Sequence, residues 1–401
     1  MTTRWSCTGL ALAAALLAGC GPTDLAHRPV AEPFPVAVAG FDRHAESVRD
    51  DLGRHRVAVD PAVRDDEVAL NAPFERTAHA GVPYRGRFLL IHGLNDSPFV
   101  WRDVADRLAE AGFDTRAILL PGHGSRPGAM LDVSRADWLA VARGHLADWK
   151  QDGEPVYLGG FSLGGVIATM LALEDDAVAG LLLFAPAWRS DADDILKWSA
   201  VVAVARDWAF TGPVLNPVRY GSVSMNSGAQ YYALTRDLNR LWGSRTLDIP
   251  ALIVVTTEDS VVDVDHVRAL FRERFPAPDS RLLIYSASGA QPSGGREIVR
   301  DGADPGRRIL NQSHMSLMIA PDNPRYGQEG DLIVCNGGGS REACRSATRR
   351  WHGAWGTPSP DGAPVTRTTY NPDFDFVIRT LREVFAVAEP GRSAAVAPAG
   401  S

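Results

Sequence analysis

Gly160-Phe161-Ser162-Leu163-Gly164, entered from the apolar run Val156-Tyr157-Leu158-Gly159, decides how this 401-residue chain is read. A strand that ends in G-x-S-x-G turns sharply into a helix and presents the serine hydroxyl at the top of that turn. The sequence continues as a predicted helix over Val166 to Leu173, and Gly164 and Gly165 leave room for it to approach its own strand.

Working outward, Phe88-Leu89-Leu90-Ile91 reads as a short buried strand that runs into His92-Gly93-Leu94-Asn95-Asp96, a turn rich in Gly, Asn and Asp. An amphipathic helix follows from Phe99 to Ala111. A strand from Thr115 to Leu120 then breaks at Pro121-Gly122-His123-Gly124, before a helix from Arg135 to Trp149. Downstream, strands are predicted at Ala179 to Phe184 and Ala251 to Thr256, with a helix at Asp265 to Phe275. Strand and helix alternate throughout, which places the chain in the α/β class with a mostly parallel central sheet flanked by helices.

With these segments in place the chain resembles the α/β-hydrolase superfamily, and within it the capped carboxylesterase and monoacylglycerol-lipase-like serine hydrolases. The resemblance covers about Arg87 to Leu317. It rests on Ile91-His92-Gly93, Leu120-Pro121-Gly122-His123-Gly124, the Asp137-Trp138 pair, the Gly160 to Gly164 elbow, and Asp259 and His314 in the chain order Ser, Asp, His. It implies an α/β-hydrolase fold with a helical cap and a serine carboxylesterase or lipase-like activity that needs no cofactor.

A hydroxyl is a poor nucleophile near neutral pH and must pass its proton to a positioned base. His314, in the polar turn Asn311-Gln312-Ser313-His314-Met315, is the candidate base for Ser162. Of the other histidines, His27, His44, His55 and His79 precede the first core strand, His145 and His266 fall in predicted helices, and His352 is the late rival. Asp259, in the loop after Leu252-Ile253-Val254-Val255, is the candidate acid that would orient the imidazole. Glu258, Asp263 and Asp265 are its neighbours and rivals, and Asp263 or Asp265 is well placed to cap the next helix. By the same resemblance, the backbone N–H groups of Leu94 and Leu163 would receive the negative oxygen of an attacked ester. His92 and His123 read as loop braces.

About sixty residues separate the strand ending near Phe184 from the one starting at Ala251, too many for a simple connection. A cap over about 188–247 is expected, with Trp188, Trp198, Trp208, Phe210, Tyr231 and Tyr232 in it and an apolar helical segment from Trp198 to Ala209. Most of these aromatics should pack, and an apolar cap over a serine suits an acyl chain better than a sugar or a charged peptide.

Near the N-terminus, Arg4 precedes the apolar run Leu10 to Leu17, too short to span a bilayer, and residues 1–19 read as a secretory signal. Leu17-Ala18-Gly19-Cys20 resembles the lipobox of bacterial lipoproteins, which implies cleavage before Cys20 and its lipidation, hence a membrane anchor. Gly21, where an aspartate would signal inner-membrane retention, points to the outer membrane of the cell envelope. Residues 20–40 read as a Pro-rich tether. Setting aside Cys7 and Cys20 leaves Cys335 and Cys344, expected to pair, as fits an oxidising compartment. Two thiols without a nearby paired histidine do not make a zinc site.

The remaining length is assigned to an insertion at Ser286 to Arg307 between strands at Arg281 to Tyr285 and Arg308 to Leu310, and to a second, disulfide-bearing insertion at about 321–367. An amphipathic helix at Phe374 to Ala388 closes a catalytic domain of 41–388, and 389–401 reads as a disordered tail. A hydrophobic content of 45%, 22% charged residues and a net charge of -7 suit a globular domain and argue against a nucleic-acid partner. The expected substrate is a small or lipid carboxylic ester. The alternatives are a peptidase or acyltransferase using the same residues, or a binding lipoprotein on a hydrolase fold whose catalysis has lapsed.

Overall fold

The computed structural model describes residues 24–336 and 341–386. The signal run, Cys20 and the tail from Glu389 lie outside the described residues.

Two helices, α1 (Phe41–His55) and α2 (Arg64–Asn71), come first. The first half of the sheet follows as β1 (Phe74–Arg76), β2 (Gly86–Ile91), β3 (Phe113–Ile118), β4 (Val156–Phe161) and β5 (Val178–Phe184). Its connections carry α3 (Arg102–Glu110), α4 (Arg135–Trp149) and α5 (Leu163–Glu174). The segment after β5 holds α6 (Asp193–Leu196), α7 (Ser199–Val202), the β6 (Trp208–Phe210) and β7 (Val223–Ser224) hairpin, and α8 (Met225–Trp242). The sheet resumes with β8 (Ala251–Thr256), α9 (Val264–Arg274), β9 (Arg281–Ser286) and β10 (Glu297–Asp301). Then come α10 (Arg341–Ser346), β11 (Trp351–Gly353), β12 (Val365–Arg367) and α11 (Phe374–Val384).

Eight strands form one sheet in the order β1-β3-β2-β4-β5-β8-β9-β10. Only β1 runs antiparallel to its neighbour. The central strands are buried on both faces, which is why β5 and β8 read as near-continuous apolar runs with no alternation. This is the α/β-hydrolase fold. Helix α4 starts at a Ser134–Asp137 capping box, so the Asp137 of the Asp137-Trp138 pair serves the helix start, while the Trp138 indole N–H donates to Pro121 O at 3.0 Å and pins the Gly-rich turn.

The structure departs from the sequence reading in three places. Strand β10 lies inside the Gly- and Ser-rich insertion and extends the sheet beside β9, whereas Arg308 to Leu310 forms no strand and only isolated bridges at Ile309. The expected helix from Trp198 to Ala209 shrinks to the single turn α7 followed by β6: Val201, Val202 and Val204 are β-branched and exposed, so neither propensity nor packing sustains a helix. The described part of the Pro-rich segment is docked on the domain. Ala26 and His27 are buried, and His27 Nε2 hydrogen-bonds Ser222 Oγ at 2.9 Å while its ring meets the edge of Trp208.

Candidate active site

Ser162 caps the N-terminus of α5 at φ 55°, ψ -114°, a left-handed setting that costs a non-glycine residue on the order of 1–3 kcal/mol. The strain persists because the backbone is held on both sides. The Ser162 N–H donates to Phe184 O at 3.0 Å, and its carbonyl accepts from Gly165 at 2.9 Å and Ala187 at 3.1 Å. The two outer glycines of the motif answer to contact: a Cβ on Gly160 would lie 2.5 Å from Gly164 O, and one on Gly164 would lie 2.0 Å from Ile91 O. The serine side chain makes no capping bond, which leaves Oγ uncommitted.

His314 comes to the same rim from the loop after β10, its ring 5.0 Å from that of Phe161, the residue before the serine. Its Nδ1 is 2.7 Å from Asp259 Oδ2, both side chains being buried. The other Asp259 oxygen accepts the N–H groups of Val261 at 2.8 Å and Val262 at 3.1 Å, which aims the carboxylate at the ring. The rivals have other work. Asp263 caps α9 through His266 N–H and pairs with Arg189, and Glu258 accepts from Ala287 and Ser288 N–H. His352 sits in β11 against Thr366 Oγ1, and burial beside Arg350 and Arg308 pushes it down to about 4.

Ser162 Oγ and His314 are not hydrogen-bonded in this structure, a bond that often tightens only when substrate arrives. The Leu163 N–H opens α5, where a helix offers no internal acceptor, and the Leu94 N–H has no partner among the described residues. Both are free to donate. His92 braces the turn between them: it receives the Leu120 N–H on Nε2 at 3.0 Å and therefore donates from Nδ1 to Gly93 O at 2.8 Å. Burial and the neighbouring His123 hold His92 well below its usual range, and burial takes His123 down to about 4, so both are neutral braces.

Three residues of this region escaped the sequence. Asp96 belongs to the first turn but is buried, 3.7 Å from Arg219 Nε, with burial raising its carboxyl above the usual range and His314 pulling it back. Arg219 comes from the cap and also approaches Met315 Sδ at 3.4 Å. Arg367 comes from β12. A buried acid in a Gly- and Asn-rich turn was a usable signal for Asp96; nothing local marks either arginine. Asn95, next to Leu94, opens onto a cavity of about 570 Å³ between the cap and the second insertion. That insertion is tied by the Cys335–Cys344 disulfide. Among the described residues no cluster of His, Cys, Asp and Glu could hold a metal ion.

Residues 83–288 match the family model described as serine aminopeptidase, S33. A thermostable monoacylglycerol lipase from Bacillus sp. (strain H-257) is 29% identical over 94 residues, which is 23% of this chain and 38% of that relative. The matched stretch thus spans well under half of the relative's length. Among solved structures, a monoglyceride lipase from Saccharomyces cerevisiae is similar at 19% identity, covering 57% of this chain and 85% of that one with a TM-score of 0.44. A monoacylglycerol lipase from Paleococcus ferrophilus is similar at 21% identity, covering 53% and 88%, also with a TM-score of 0.44.

Proposed function

We propose, from the premise that the chain belongs to the serine aminopeptidase S33 family of α/β-hydrolases, that it hydrolyses carboxylic esters through an acyl-enzyme on Ser162. The observation that carries the reading is the buried 2.7 Å contact between His314 and Asp259 beside an uncapped serine in a strained elbow. In this mechanism His314 takes the Ser162 proton through Nε2 as Oγ attacks the ester carbonyl, while Asp259 fixes the tautomer and stabilises the imidazolium. The developing oxyanion receives the N–H groups of Leu94 and Leu163, each such donor being worth about 10²–10³ in rate. His314 then protonates the departing alcohol and activates the water that frees the acyl group.

Lipid esters are the favoured substrates. The cap turns apolar side chains outward, with Ile195 76%, Trp198 60% and Val204 89% exposed, as suits contact with an acyl-rich surface. Anchoring through an acylated Cys20 fits the same reading. A peptidase that trims N-termini would need a carboxylate to receive the free amine, and among the described residues no Asp or Glu lines the cavity that Asn95 opens onto. Release of p-nitrophenol from acetyl to palmitoyl esters, with fluorophosphonate labelling, tests the proposal. The Ser162→Ala variant should lose the label and at least about 10⁴ of the rate. Labelling or turnover that survives the substitution would refute it.

A further inference from the structure

The cavity that Asn95 shares with the second insertion carries a charge pattern that ester hydrolysis alone does not require. Arg219, Arg345 and Arg367 all line it, among the described residues no Asp or Glu does, and Phe210, Val334 and Trp355 supply apolar wall. The chain as a whole has a net charge of -7, so this concavity runs against the general balance. Arg219 has the Asp96 carboxylate at 3.7 Å, and the Asp259 carboxylate acts electrostatically on Arg367 without forming an ion pair with it. Arg345 and Arg367 form no ion pair among the described residues, and the buried Nε of Arg367 has no hydrogen-bond partner. The Arg367 guanidinium lies over the Trp355 ring, 5.3 Å from its centre. Burial, with the like charge of Arg219 acting the same way, lowers it to about 10, so it stays charged at neutral pH. Like charges are held together here with an unmet donor between apolar walls, which is how a site for an amphiphilic anion is built.

We propose that this cavity binds the anionic end, carboxylate or phosphate, of an acyl ester whose ester group reaches Ser162. The proposal rests on the esterase reading of Ser162 and adds the substrate class. The disulfide has a part in it: Cys335 lines the cavity and Cys344 precedes Arg345, so the bridge holds that arginine at the wall.

The test pairs substrates that differ in charge alone: p-nitrophenyl hexanoate against the p-nitrophenyl monoester of adipic acid for a carboxylate, and a monoacylglycerol against the matching lysophosphatidic acid for a phosphate. Wild type should prefer one anionic member, and Arg345→Gln combined with Arg367→Gln should cut the anionic-to-neutral ratio of kcat/KM by at least about tenfold, chiefly through KM. Which pair responds identifies the anion. No preference in wild type, or equal loss on both members in the variant, overturns the proposal and leaves Arg367 a packing partner of Trp355. Binding of dodecyl phosphate, dodecanoate and dodecanol to Ser162→Ala protein, followed by thermal shift below micellar concentrations, reads the cavity without turnover. Stabilisation by an anion but not the alcohol, lost with the two arginines, supports the site even if fluorophosphonate fails to label Ser162 and the esterase reading falls; no selective stabilisation overturns it.

Discussion

At the scale of single residues, Ser162 and Asp259 were legible as candidates because each follows directly on a strand, β4 and β8, and turn chemistry is written locally in Gly, Asn and Asp, whereas His314 lies in a loop well past β10 and was marked by its place in the chain order. Asp103 shows the opposite case. It lies in α3, yet it accepts the Ala320 N–H at 2.7 Å and both of its oxygens are 2.9 Å from Asn323 Nδ2, fastening the loop that follows His314. Burial pushes its carboxyl from 3.8 up to about 6, opposed by those two donors and reinforced by Asp322 and Asp106. Between these values the folded chain keeps a proton that the unfolded chain has released. The contribution is therefore full below about pH 4 and is lost as pH rises through about 6, by about 2 kcal/mol once partial exposure is allowed for. Urea unfolding at pH 4.5 and 7 should show this loss, and Asp103→Asn should flatten it; an unchanged slope in the variant would assign the effect to other groups.

Among elements, strands with apolar runs were legible and those without were not. β10, Glu297-Ile298-Val299-Arg300-Asp301, has two apolar residues and stands half-exposed at the sheet edge, so its signal resembles a loop. In the cap the error ran the other way: an apolar run suggested a helix, but its large apolar side chains, Trp198, Val201, Val202 and Val204, face water. Trp188 does the joining that this run does not. It is buried, its indole N–H donates to Thr169 Oγ1 at 3.0 Å, and its ring meets Trp242 of α8 at 5.2 Å and Phe275 at 5.7 Å. Trp188→Ala should cost about 3–5 kcal/mol in urea unfolding. A loss under about 1 kcal/mol would mean that the cap is held elsewhere.

For the molecule as a whole, the alternation of strand and helix foretold the parallel sheet, because each buried strand and its crossover helix carry their own periodicity. The arginine-lined cavity could not be foretold. Its three guanidiniums come from the cap, α10 and β12, and only tertiary packing brings them together. Attachment also belongs to this scale. If Cys20 is acylated, labelled palmitate should enter the protein and be lost from Cys20→Ser, with the variant leaving the membrane fraction; label retained by the variant would end the anchoring proposal. The docking of His27 against Ser222 and Trp208 then acquires a geometric meaning. The four residues from Gly21 to Asp24 reach at most about 14 Å. A tether that short, entering beside the β6–β7 hairpin, would press the rim of the cap to the leaflet. An ester could then slide sideways from the bilayer into the enzyme, a search in two dimensions with no passage through water.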